Sequence, residues 1–368
     1  MPVGSLLKSF LPGDDDFETD IRAFLQVDQC ILARSGRALL GLLLETLAEK
    51  CKGRRVEVLI PGYTCYSVAA SVARSSLTIR VYDLDPRTLL PDLDSMRKNL
   101  TEKTLAIVAQ HLFGVPCPME EILSMARGAG AVLIDDAAQG LGGSIGEKPL
   151  GTLGDYGLYS FGRGKPLPLG CGGALVGEDV ESLSDRIGGK RGKGLLHLVS
   201  TAAARLLSQR YLYGIMETLP LGLGRTEFDP GFSIAAMPDA IKRLGRKTFG
   251  MLGRFNRQRQ RTASLYTRTL DGGKVIRVGP GSVPVYHRFP YMAGPGPLPA
   301  RLLRMGVRRM YPHAIAGEPS IRPFLAEGNG PTPGAEELAR DLVTLPTHSG
   351  ISNDTACLVA HAVNEVFP

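Results

Sequence analysis

The chain reads as an α/β protein, a mostly parallel sheet with helices on both faces, followed by a smaller C-terminal α+β unit. Two observations predict this. Between residues 36 and 137, short apolar runs alternate with segments of helical periodicity, the pattern of strands buried on both faces and joined by crossover helices. Beyond a long polar helical segment starting at Met237, shorter strands and helices resume and run to the end.

Each element follows in order. GRALLGLLLETLAE (36–49) spaces its leucines as a helix does and opens behind Ser35, a good N-cap. RVEVLIP predicts a strand, YSVAASVARSS a helix and LTIRVYDLD a second strand. A helix around LDSMRKNL, the strand TLAIVAQH, the helix PMEEILSMARGAG and the strand AVLIDDA complete the alternation. YGLYSF is a further strand, and the segment from Met237 to Leu270 reads as one connecting helix. We expect a large unit over residues 1–245 and a unit of connecting helix and small C-terminal domain over 246–368. Residues 1–30 are expected to pack on the smaller unit.

Composition narrows the function. With 368 residues, 43% hydrophobic and 21% charged, the chain can bury a large core. A net charge of +7 suits anionic ligands of any kind. The basic residues are dispersed, there is no Trp, and no recognition motif appears, which argues against nucleic acid as a partner. Six cysteines lie scattered without a CxxC pair or metal-type spacing, so we expect reduced thiols, no metal site and a cytoplasmic protein. The N-terminal stretch soon turns acidic and makes a poor leader. The apolar region from Gly194 is interrupted by Arg205 and Arg210, short of the ~20 residues of a spanning helix. Residues 190–224 read as a packing helix pair, with contact to a membrane surface as the sharper alternative.

Three elements at strand ends carry chemistry. Ser35-Gly36-Arg37 opens a helix, where free N–H groups and the helix dipole suit a phosphate. Asp136 follows an apolar strand, where a carboxylate in a dry site can pair with a cationic ring nitrogen. Asp135 beside it reads as an N-cap or a solvent-facing group. Ser160 and Lys165 sit five residues apart on a glycine-interrupted turn and can converge on one ligand. A phosphate cradle, a buried acid and a lysine nucleophile are what pyridoxal phosphate requires.

At these residues the chain resembles the DegT/StrS family of sugar aminotransferases, pyridoxal-phosphate enzymes of the aspartate-aminotransferase fold type I. ARSGRALL is similar to the family's phosphate helix, PGYTCYSVAASV to its PxxTxxAT segment, and IDDAAQGLGG to its EDAAQ motif. VYDLDPRTLLPD and IVAQHLFGVPCPMEEI resemble further family stretches, and GTLGDYGLYSFGRGK its lysine motif. YHRFPYMA and TLPTH fall where the family has YHxY and SLPLH.

The resemblance implies that Lys165 is the Schiff-base lysine and proton shuttle, and that Asp136 pairs with the pyridine nitrogen. It further implies that Gln139 contacts the ring's hydroxyl side and that Ser160, Ser35, Gly36 and Arg37 hold the phosphate. It implies a homodimer that moves an amino group from an amino acid, with glutamate as donor, to a nucleotide-linked keto-sugar for surface-polysaccharide or secondary-metabolite synthesis. Four positions depart from the family pattern. Arg37 stands for threonine, Cys65 for the aromatic that stacks on the ring, and Cys171 makes GCGG of GEGG. IAAM (Ile234–Met237) replaces NxRM, whose asparagine reaches the partner's phosphate. These departures motivate a second reading, a cofactor-binding but inactive member with a regulatory or scaffold role. His111 is open to two readings, a satisfied core histidine or a ring contact, and Arg163 reads as solvent-facing.

Overall fold

The computed structural model describes residues 16–188 and 227–368. The segment 190–224, with its expected helix pair and membrane contact, lies outside the described residues. Helix α1 (Phe17–Leu25) leads into β1 (Cys30–Ala33) and α2 (Gly36–Lys50). The alternation continues with β2 (Glu57–Pro61), α3 (Tyr66–Arg74), β3 (Thr78–Tyr82), α4 (Leu93–Asn99), β4 (Thr104–Gln110), α5 (Met119–Ala129) and β5 (Val132–Asp136). Short strands β6 (Ser144–Ile145) and β7 (Lys148–Pro149) precede β8 (Tyr156–Ser160) and β9 (Gly173–Gly177).

The main sheet has the order β1-β9-β8-β5-β4-β2-β3. Its β3, β2, β4, β5 and β8 run parallel, while β9 and β1 add antiparallel strands at one side. Successive side chains on a strand point to opposite faces, and the cores divide accordingly. Val58, Val108 and Ile134 join Leu39 and Leu43 of α2 on one face. Leu59, Ile107 and Leu133 join Met119 and Ile122 of α5 on the other. All of these residues are buried.

Two expectations are corrected. The segment from Met237 to Leu270 is not one helix but α6 (Asp239–Phe249) and α7 (Leu252–Thr269). The Thr248 hydroxyl donates to the Leu244 carbonyl at 2.7 Å, and Gly250 follows; back-bonding hydroxyls bend helices, and glycine is a poor helix former. Residues 17–25 pack on β1 and α6, whose Phe249 lies within the expected 246–368 unit, and not on the C-terminal core around Phe289 and Val343. Phe17 lies 5.3 Å from the Phe161 ring and 5.6 Å from Phe249, and it shares a core with Leu32, Ile241 and Leu244.

Helix α7 belongs to two cores. Leu252 and Phe255 pack with the main sheet's β1–β9 side. Ala263 and Tyr266 pack on the antiparallel pair β11 (Arg288–Met292) and β12 (Leu342–Pro346), along with Val359 and Val363 of the helix Asn353–Val366. The short strand β10 (Ser282–Val283) pairs with β6, tying the C-terminal unit to the main one.

Candidate active site

Gln110, Asp136 and Leu158 form one row across β4, β5 and β8, each in register with the next. They line a cavity of about 190 Å³ at the carboxyl ends of these strands, together with Ser35, Gly36, Arg37, Cys65, Gln139, Ser160 and Lys165. The structure thus brings every residue singled out for catalysis or cofactor binding to one wall or another of one cavity.

Asp136 is fully buried, and burial pushes its carboxyl above the ordinary value. Its Oδ1 accepts from the Ala138 N–H at 3.0 Å and its Oδ2 from Gln110 Nε2 at 2.8 Å. Gln110 is oriented in turn by the Thr64 hydroxyl, which donates to its Oε1 at 2.8 Å. No ion pair at contact distance holds Asp136 among the described residues; the Lys165 amine in the same cavity attracts its carboxylate only at longer range. A protonated ring nitrogen would supply the contact pair.

Ser35 caps α2, its Oγ accepting from the Ala38 N–H at 3.3 Å. The N–H groups of that first turn have no acceptor within the helix. Glycine suits position 36, where a Cβ would lie 3.0 Å from the Tyr159 carbonyl oxygen, a tight contact. The backbone of Arg37 stands at the helix start, but its side chain turns outward. Its guanidinium lies 4.9 Å from the Phe232 ring centroid and 3.9 Å from Asp229. Arg74 also lies over the Phe232 ring, 5.1 Å from its centroid, and donates to the Phe232 carbonyl at 2.7 Å.

Lys165 ends the turn that the sequence displays as GRGK. Its N–H donates to the Gly162 carbonyl at 3.2 Å, and Gly164 takes φ +79°, a conformation natural to glycine. Arg259 of α7, itself buried, donates to the Lys165 carbonyl at 3.3 Å. Ser160 Oγ accepts from the Gly162 N–H at 3.4 Å, which aligns the start of the same turn. Cys65 occupies the N-cap of α3, and the Ser67 hydroxyl lies 3.0 Å from its sulfur.

The structure resolves the open readings. His111 is a core histidine and not a cavity group: it is fully buried, and its Nδ1 accepts from the Cys117 N–H at 3.1 Å. Its Nε2 comes within 2.8 Å of Asp135 Oδ1, a close approach rather than an aligned hydrogen bond. The expectation that Asp135 is an N-cap or faces solvent is corrected. It is fully buried on the other face of the sheet, where its Oδ2 accepts from the Gly151 and Leu153 N–H groups at 2.9 and 3.0 Å. Tyr66 points away, bonding its hydroxyl to the His313 backbone. Arg163 is exposed. In IAAM, Ala235 and Ala236 bond back onto Arg34 and Gly188, and Met237 is buried. Gln110, Tyr311 and Arg259 escaped the sequence reading. For Gln110 the available signal was a polar residue ending an apolar strand in the same position as Asp136.

A helix start for an anion, a buried acid with no ion pair at contact distance and a lysine on a neighbouring turn fit pyridoxal phosphate by their own chemistry, and a parallel sheet binding at its strand ends is the scaffold of a pyridoxal-phosphate-dependent transferase. The particular lineage follows from comparison with known proteins. The sequence model of the DegT/DnrJ/EryC1/StrS aminotransferase family matches residues 7–364, and the chain belongs to that family. The chain is 26% identical to a pleiotropic regulatory protein of Geobacillus stearothermophilus, over 97% of this chain and 91% of that one. It is 32% identical to GDP-perosamine synthase of Caulobacter vibrioides over 180 residues, 49% of this chain and 47% of the relative. The aminotransferase TlmJ of Streptoalloteichus hindustanus has the same fold, with a TM-score of 0.75 at 22% identity over 99% of this chain and 95% of that one. The chain is therefore an aminotransferase of that family, and the residues of its cavity fit pyridoxal phosphate. No helix among the described residues is long and apolar enough to cross a membrane.

Proposed function

We propose that the chain transfers an amino group from an amino acid, glutamate in the simplest case, to the ketone of a nucleotide-linked sugar. The observation that carries the reading is Asp136: a buried carboxylate with no ion pair at contact distance, in the same cavity as Lys165. GDP-perosamine synthase, to which half the chain is similar, bears a nucleotide-linked sugar in its name and supports that class of acceptor.

The residues divide the work. Bound pyridoxal phosphate supplies an electron sink for negative charge at the carbon next to the transferred nitrogen. Asp136 would keep a protonated ring nitrogen cationic, since a carboxylate in a dry site pairs strongly with it. Gln110 keeps the carboxylate aimed. The first turn of α2, with Ser160, would hold the phosphate through N–H and hydroxyl donors. Lys165 Nζ would take the proton from the donor's α-carbon and hand it on within the same half-reaction, and in the second half it would carry a proton the reverse way, to the sugar carbon that receives nitrogen.

The test is the absorbance spectrum of the purified protein given pyridoxal phosphate, with and without borohydride, beside Lys165→Ala. We expect a band that borohydride traps on residue 165 in the natural chain only, and amino transfer to a keto-sugar nucleotide that the variant lacks. A band unchanged in Lys165→Ala overturns the assignment of the lysine. A trapped band with no turnover on any keto-sugar nucleotide overturns the substrate class and favours the inactive regulatory reading.

A further inference from the structure

The cavity wall formed by Gln139 is governed from outside the cavity. Gln139 is buried, and both ends of its amide are taken. Its Oε1 accepts from the Phe113 N–H at 2.6 Å. Only an oxygen can face an N–H, so this contact fixes which end of the amide is which. Nε2 is then turned toward Tyr311, to whose phenolic oxygen it donates at 3.2 Å. An amide nitrogen carries two hydrogens. One is spent on Tyr311, and the second is left to the cavity that Gln139 lines.

Both grips on Gln139 lead to the C-terminal unit. Tyr311 lies beyond α7 and is fully buried, its ring 5.1 Å from Tyr63 and 6.4 Å from Tyr66. Burial holds its phenol well above the ordinary value, so it stays protonated and neutral. Phe113 is buried at φ +56°, left-handed backbone that a phenylalanine rarely adopts. It is kept there from the same side. Its carbonyl accepts from the His287 N–H at 3.1 Å, and its ring stacks on the His287 ring at 6.0 Å and 9°. Strained buried backbone persists only where its surroundings over-determine it.

We propose that Tyr311 is a positioning residue for the cofactor pocket: its hydroxyl, together with the Phe113 N–H, orients the Gln139 amide so that the remaining N–H is presented to an acceptor oxygen on the cofactor ring. The C-terminal unit thereby completes a pocket whose other walls belong to the main sheet. This rests on the reading of the cavity as a pyridoxal-phosphate site.

The test is a double-mutant cycle with a second, cofactor-free readout. Tyr311→Phe removes one oxygen and keeps the ring packing. We expect it to weaken pyridoxal phosphate binding by roughly three- to tenfold, the worth of one hydrogen bond. In a Gln139→Leu background the same change is expected to have no further effect, because its action passes through Gln139. In the cofactor-free full chain labelled on glutamine nitrogen, Tyr311→Phe is expected to shift the side-chain amide resonance that Gln139→Leu deletes. Additive losses, or unchanged affinity with a lowered melting temperature, overturn the proposal and leave Tyr311 a packing residue. Should the natural chain bind no pyridoxal phosphate, the cavity reading fails, and the amide resonance alone then decides whether Tyr311 sets Gln139: a shift upholds it and no shift overturns it.

Discussion

The two faces of the main sheet at the end of β5 each hold one carboxylate, neighbours in sequence with different surroundings. Asp136 faces α2 and the cavity, with two donors and no ion pair at contact distance. Asp135 faces the other layer, with two backbone N–H groups of the 151–153 loop and His111 around it. Strand alternation alone separates them. Both are fully buried, so burial does not distinguish a catalytic acid from a structural one. What distinguishes them is whether the protein itself supplies their partners. Asp135 has His111 beside it at 2.8 Å, and Asp136 has no cationic group at such a distance.

The largest expected effect breaks the comparison at Asp136. Asp136→Asn keeps the acceptor for Ala138, and Gln110 can turn its amide oxygen to the new NH2 because the Thr64 hydroxyl serves either end of that amide, but the charge that a cationic ring requires is gone. Losing one member of a buried ion pair costs about 3–5 kcal/mol, so amino transfer is expected to fall by about a hundredfold to several thousandfold. Stability of the cofactor-free protein should move the other way or stay level. A carboxyl whose folded pKa is raised costs the folded state stability as pH rises through the ordinary value of 3.8 and beyond, and the neutral amide carries no such cost at pH 7. Calorimetry of the cofactor-free variant together with turnover checks both halves. A destabilised Asp136→Asn with ordinary turnover would place Asp136 with the structural residues.

Asp135→Asn is expected to behave in the opposite manner. Its amide group faces His111 Nε2, whose proton is fixed there by the Cys117 N–H at Nδ1, so two donors meet where a donor met an acceptor. A cost of about 1–3 kcal/mol follows, read from the denaturant midpoint, with little change in cofactor affinity. Equal loss of affinity in both variants would show that the two faces are not independent.

A smaller effect sharpens the same contrast at His287, which stacks on Phe113 behind the cavity. Burial first, and then the cations of Lys165, Arg288 and Arg259, hold its ring well below the ordinary value of 6.5. It is neutral when folded, whereas the unfolded chain takes up a proton near 6.5. Stability is therefore lost as pH falls below that point, at up to about 1.4 kcal/mol per pH unit for one group. His287→Gln should flatten the acid side of the stability profile by that share. An unchanged slope would assign the acid sensitivity to other groups.

The difference between the two carboxylates also measures what a sequence can disclose. Strands, crossover helices and the lysine turn were legible because period and punctuation are local: leucines every three or four residues after Ser35, and glycines around Lys165. Asp136 was legible because it ends an apolar strand within an ordered set of motifs. Asp135 was not, since its partners at Gly151, Leu153 and His111 are remote and two of them are backbone. Gln110 depended on register between strands, and Tyr311 on how a distant unit docks. The break at Gly250 shows the same limit, for a polar periodic segment carries no mark of which core each half will join. Helix α7 joins both.

The smallest expected effect concerns Arg37, where sequence and structure divide most sharply. By sequence it stands in the phosphate turn; in the structure only its backbone does. The guanidinium rests on Phe232 beside Asp229, and Arg74 contacts the same ring. Phosphate binding at a helix start depends on N–H groups and the dipole, which any residue at this position retains. Arg37→Thr should therefore change pyridoxal phosphate affinity by less than about threefold, the range of a partly exposed charge. It should cost about 0.5–1 kcal/mol of stability, the worth of an exposed cation–π contact. The decisive comparison is affinity at low and high salt. A tenfold loss that salt abolishes would mean that the guanidinium leaves Phe232 for the phosphate, and that this pocket recruits a charge where its relatives' pattern has a threonine. An affinity indifferent to both salt and substitution would leave Arg37 as what its contacts describe, a clamp that holds residues 229–232 against α2.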